Sequence, residues 1–134
     1  MKAILLSRVS SREQENGVSI ESQVQRLQHY AETKGFDVIS TYSITEQSSK
    51  GGKRKKFNEI VRQIKESSTK IALVSDSSDR LLRNFKDSIV IDALRIEEKV
   101  ELHFLRENLI LTATSTSSEL LQWDITILFS KSYI

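Results

Sequence analysis

Ala3-Ile4-Leu5-Leu6-Ser7-Arg8-Val9-Ser10 opens with a short apolar run and turns polar at its end. A run of this length reads as a buried β-strand, here over about residues 2–8. On an extended strand, residues two apart point to the same side. Arg8 and Ser10 therefore project together where the strand ends, and Ser7 projects to the opposite face. A hydroxyl beside a guanidinium suits attack on a phosphate: serine supplies the nucleophile, and arginine offers the anion a fixed fork of donors. The bland alternative is that serine and arginine simply begin a loop.

A second apolar run, Ile71-Ala72-Leu73-Val74, ends in Ser75-Asp76-Ser77-Ser78-Asp79-Arg80-Leu81-Leu82-Arg83-Asn84. Arg80 and Arg83 are three apart and share a face if the segment is helical. Asp79 stands where an N-cap would stand. Parallel, neighbouring strands would bring one serine and three arginines (Arg8, Arg80 and Arg83) to a single rim, the usual ligand site of open α/β sheets. The competing reading is an amphipathic helix start with solvated arginines.

Outward from these two runs the chain alternates strand and helix. The expected fold is a three-layer α/β domain, with a mostly parallel sheet of four to five strands and helices on both faces. A helix over about 19–33 carries the stripe Ile20, Val24, Leu27 and Ala31, stopped by Gly35. Asp37 to Ile44 reads as the second strand, and Gln47 to Lys53, with Gly51-Gly52, as a polar loop. Phe57, Ile60, Val61 and Ile64 mark the next helix, and Phe85, Ile89, Ala93 and Ile96 the one after. Val100 to Leu105 is the fourth strand and Leu109 to Leu111 a short fifth. A last helix from Ser117 carries Leu120, Leu121, Trp123, Ile125, Ile127 and Leu128. It is apolar on too many sides for a surface helix, and so closes the core or meets a second chain.

Composition sets bounds. The 134 residues suit one domain, and 38% hydrophobic with 28% charged residues is ordinary for a globular chain. With a net charge of only +2, any basic footprint is local; Lys50, Lys53, Arg54, Lys55 and Lys56 supply one, or else form a solvated loop. Having no cysteine excludes disulfides and thiolate metal sites. His29 and His103 stand alone, without ligand spacing, and read as a helix-surface and a strand residue. No phosphate-binding loop of the NTPase type is present.

Taken together the motifs resemble the serine recombinases, the resolvase and DNA-invertase family. The family's R-V-S stands as Arg8-Val9-Ser10, and its D-R-L-x-R as Asp79-Arg80-Leu81-Leu82-Arg83. Its G-x-S-x-x-x-Q stands as Gly17-Val18-Ser19-Ile20-Glu21-Ser22-Gln23, and a further arginine as Arg54 ahead of Phe57. The resemblance spans roughly residues 1–134 and implies a resolvase-like fold. It implies that Ser10 attacks a DNA phosphodiester to give a 5′-phosphoserine and a free 3′ hydroxyl, and that the step reverses after strand exchange without ATP or any cofactor. Arg8, Arg54, Arg80 and Arg83 would hold the phosphoryl oxygens. Asp79 would orient an arginine, take part in proton transfer or cap its helix. Gln14 and Gln23 would bond phosphate or hold Arg8, and Lys53 would touch DNA.

The implied partners are double-stranded DNA and further copies of the chain, in dimers that work as tetramers, in the cytoplasm and without a membrane. Because the family continues into a long helix and a DNA-binding domain, residues 1–134 read as the catalytic domain without them. The G-x-S-x-x-x-Q helix leans toward the large integrases. The chain departs from the family in Glu46-Gln47-Ser48-Ser49-Lys50-Gly51, and in Ser77-Ser78, where a basic and an apolar residue are usual. Two other readings stay open: a silent dimerising or DNA-binding relic, and an unrelated serine phosphatase.

Overall fold

A computed structural model describes residues 1–9, 19–45, 50–81 and 85–132. In chain order these form β1 (Lys2–Val9), α1 (Ile20–Lys34), β2 (Asp37–Thr45), α2 (Lys50–Glu66), β3 (Ile71–Ser75), α3 (Ser78–Leu81), α4 (Phe85–Ile96), β4 (Val100–Phe104), β5 (Leu109–Leu111) and α5 (Ser117–Ser132). The sheet order is β2-β1-β3-β4-β5, parallel except for β5.

Alternation along the strands divides the core in two. Ala3, Leu5, Ala72 and Val74 face Leu27 and Ala31 of α1. Ile4, Leu6, Leu73, Leu102 and Phe104 face Ile60, Ile64, Ile91, Leu94 and Trp123, from α2, α4 and α5. Right-handed crossovers require this division. The chain leaves β1 toward β2 through α1, then reverses past β1 to β3 through α2 and continues to β4 through α4. The single reversal puts α1 alone on its face.

Helix α1 is bounded as its sequence predicts. Ser19 accepts a hydrogen bond from the Ser22 N–H at 3.1 Å, and Gly35 closes the helix at φ +73°, a conformation that favours glycine. Three expectations fail. Helix α2 begins at Lys50, so Gly51, Gly52 and Lys53 are helical and not loop. The glycines disfavour this by about 1 kcal/mol each, but tertiary contacts hold the first turns: Lys56 donates to the Ser43 carbonyl at 2.6 Å, and Arg54 pairs with Asp87 of α4 at 2.9 Å.

Helix α4 is turned relative to its expected stripe. Ile89 and Ile96 are exposed, while Ser88, Ile91, Leu94 and Arg95 are buried. A polar network decides the orientation. Asp92 accepts from Trp123 Nε1 at 2.8 Å and from Arg95 Nε at 3.0 Å, and Arg95 Nη1 donates to the Thr112 carbonyl at 2.7 Å. The same face brings Ile91 and Leu94, with Val90 beside them, into the core. Finally, α3 opens at Ser78, so Asp79 lies inside the turn and not at its cap.

Candidate active site

The order β2-β1-β3 makes the carboxyl end of β1 a topological switch point, where connections depart to opposite faces and leave a crevice. The two runs singled out from sequence end here side by side, pairing in parallel from Ala3↔Ala72 to Leu6↔Ser75. Arg8 follows Ile4 and Leu6 in parity and so takes the face of α2 and α4. Ser7 takes the α1 face, where its Oγ is buried without a hydrogen bond among the described residues. A nucleophile at position 7 would be sealed from any substrate. Ser10, Gln14 and Arg83 lie outside the described residues.

Beyond Ser75, β3 no longer accompanies β1, and Arg8 loses its strand partner on that side. Gln23 takes the place of the strand. Its Oε1 accepts from the Arg8 N–H at 2.9 Å, and its Nε2 reaches the Arg8 carbonyl at 3.4 Å. The side chain is fully buried. Of the two roles foreseen for Gln23, holding Arg8 matches this geometry, and the held group is the backbone.

The turn α3, directly after β3, carries Asp79 and Arg80 as its second and third residues. Arg54, one helix away, forms a bidentate pair with Asp87: Nη1 to Oδ1 at 2.9 Å and Nη2 to Oδ2 at 3.2 Å. The pair joins α2, which follows β2, to α4, which follows β3. The arginine is about half exposed (47%) while its carboxylate partner is 6% exposed. Below it runs a groove of about 470 Å³ lined by Phe57, Lys65, Lys86 and Asp87. The first turn of α2 holds no acid, and Lys50, Lys53, Arg54, Lys55 and Lys56 crowd its positive dipole end. That crowding costs helix stability and favours an anion.

Three carboxylates escaped the sequence reading. Asp76, fully buried after β3, is bonded by Arg106 Nη2 at 2.6 Å and approached by Arg26 Nη1 at 3.4 Å. Asp87 and Glu107 are the others. Their partners lie 29 to 33 residues away, so nothing local signals them; only Asp76 stood at a strand end, where a buried carboxylate could have been suspected. His103 is the strand residue expected, with Nδ1 2.6 Å from the Tyr30 hydroxyl and Nε2 3.0 Å from Glu101. Burial pushes its pKa below the ordinary imidazole value. The Glu101 hydrogen bond and charge oppose that shift, and the Lys34 charge adds to it. His29 is exposed on α1.

No helix among the described residues is long and apolar enough to cross a membrane. A search of curated proteins finds no match. Among solved structures, the N-terminal catalytic domain of TP901-1 integrase is similar at 24% identity and TM-score 0.67, covering 96% of this chain and 93% of that one. A resolvase family site-specific recombinase from Streptococcus pneumoniae follows at 19% identity and TM-score 0.68, covering 96% and 88%. The C-terminal catalytic domain of ISC1926 TnpA, an IS607-like serine recombinase, reaches 24% identity and TM-score 0.55, covering 97% and 82%. The family described as Resolvase, N terminal domain, matches residues 3–131. By that match the chain belongs to the resolvase family, as a serine recombinase catalytic domain.

Proposed function

We propose that this domain cuts and rejoins double-stranded DNA with Ser10 as its nucleophile. The Ser10 oxygen forms a bond to phosphorus, the bond to the 3′ oxygen breaks, and the departing 3′ oxygen takes up a proton. The products are a 5′-phosphoserine and a 3′ hydroxyl. After strand exchange that hydroxyl attacks the phosphoserine, so bond energy is conserved and no ATP is consumed. Arg8, Arg80, Arg83 and Arg54 stabilise the extra charge on the pentacoordinate phosphorus; losing one such donor costs about 10²–10³ in rate. Asp79 orients these arginines, Gln14 and Gln23 hold the strand end, and Lys53 with the basic start of α2 contacts the DNA backbone.

One observation carries this reading: β1, which leads into Ser10, ends at the switch point beside the turn bearing Asp79 and Arg80. Helix α5 supports assembly into dimers, and tetramers on DNA. Its inner side buries Trp123, while Leu121, Leu128 and Phe129 are 60 to 61% exposed. Such a stripe suits a second copy of the chain. The setting is the cytoplasm, where the DNA substrate is.

The test uses the complete reading frame that encodes the chain, with its own flanking DNA on a supercoiled plasmid. The reaction is quenched in denaturant with EDTA present throughout. The expected product is a protein-linked 5′ DNA end that disappears in Ser10→Ala. DNA binding without any adduct would overturn the mechanism and leave a silent DNA-binding relic.

A further inference from the structure

The described residues of α3, Ser78–Leu81, carry Asp79 and Arg80. The leading N–H groups of a helix have no acceptor within it. Glu107, in the turn between β4 and β5, holds α3. Oε1 of Glu107 accepts two hydrogen bonds from Ser78, the backbone N–H at 2.7 Å and the hydroxyl at 3.0 Å.

The one Ser78 hydroxyl proton goes to the carboxylate, which can only accept. The Ser78 oxygen also lies 3.2 Å from the Thr126 hydroxyl of α5, but the Thr126 proton goes to the Gln122 carbonyl at 2.9 Å, so α5 is a neighbour here and Glu107 is the hydrogen-bond partner. Ser78 is buried, and Oε2 of Glu107 is buried with no hydrogen bond among the described residues. Packing alone would be served by an apolar residue at 78. A half-buried carboxylate that gives one oxygen to two Ser78 donors does more than fill space.

Building on the proposed function, we infer that Glu107 is a positioning residue for DNA cleavage. It fixes the start of the arginine-bearing turn at the rim, next to the seat of α5. Glu107 does so through the two donors of Ser78. It touches no DNA and acts only through the turn.

The complete chain is compared with Glu107→Ala, Glu107→Gln and Ser78→Ala. The readouts are single-turnover adduct formation on a nicked duplex, DNA affinity, and amide hydrogen exchange across Ser78–Leu81. Glu107→Ala should slow the covalent step about 10²-fold, the usual cost of ångström-scale misplacement. DNA affinity should stay within about twofold, since the defect belongs to the transition state and not to binding. Glu107→Gln keeps an oxygen for both Ser78 donors and should restore most of the rate, with Ser78→Ala in between. If Glu107→Ala does not fold, the other two variants carry the comparison.

Wild-type cleavage by the folded Glu107 and Ser78 variants would overturn the inference, as would equal losses of affinity and rate with no rescue by glutamine. A wild-type chain that makes no adduct refutes the proposed function instead. The inference is then decided by exchange at Ser78: unchanged protection in Ser78→Ala and the folded Glu107 variants overturns it.

Discussion

Replacing Gln23 by leucine tests the strand-end anchor most directly. Leucine is close to glutamine in volume, so the site stays filled, but the acceptor for the Arg8 N–H at 2.9 Å and the weaker donor to its carbonyl at 3.4 Å both vanish. No strand can take their place, because β3 pairing stops at Leu6↔Ser75. Stranding a buried N–H costs about 1–3 kcal/mol, and because Arg8 is half-buried the lower half of that range applies, about 1–2 kcal/mol. The 3.4 Å contact adds little. For a domain of this size the loss lowers Tm by roughly 3–7 °C.

The chemical consequence should be larger than the thermal one. With the end of β1 free to shift, the strand that leads into Ser10 is no longer held, and adduct formation should fall about 10²-fold. Calorimetry gives the first quantity, and the quenched plasmid assay the second at a temperature where both proteins are folded. Gln23→Glu should do worse than leucine at neutral pH, because a carboxylate presents a second acceptor to the Arg8 carbonyl where a donor is needed. An unchanged Tm in Gln23→Leu would refute the anchor. A lowered Tm with wild-type adduct rate would refute its link to the reaction.

Two further outcomes are expected. His103 is held neutral mainly by burial against Tyr30 and Phe36, with Glu101, Lys34 and Lys70 the charged groups around it. Its folded pKa lies below the unfolded value of about 6.5, so the unfolded chain binds more protons in between. Stability is therefore full above about pH 6.5 and is lost as pH falls through the folded value, a slope of Tm against pH that should shrink in His103→Gln. On α5, Leu128→Ser with Phe129→Ser should change stability by no more than about 0.5 kcal/mol each, as exposed positions do. Sedimentation should nonetheless show loss of self-association, and an unchanged oligomer would remove α5 as the contact.

Periodicity is local, and the features that depend on it were legible from the residues alone. Five strands, the α1 caps and the parity that separates Ser7 from Arg8 arise from spacing within a few residues, as do the four motifs. The start of α2 was misread because two glycines outweighed contacts to Ser43 and Asp87 that exist only once the helix is docked. The buried face of α4 was misread for a similar reason. Two apolar stripes compete along it, and the Asp92–Trp123 bond that marks the buried one spans 31 residues.

Backbone pattern and motif order therefore suffice to identify the fold and the chemistry the chain resembles, because hydrophobic alternation and strand-end chemistry are written in neighbouring residues. The supports of the site are not written there. Gln23 replacing a missing strand, Asp87 gripping Arg54 and Glu107 capping α3 each join residues 15 to 33 positions apart. Such pairings exist only after the sheet order β2-β1-β3-β4-β5 has brought the helix starts and the β4–β5 turn to one rim. A buried polar group must find its partner in space, and only the tertiary structure decides which one it finds.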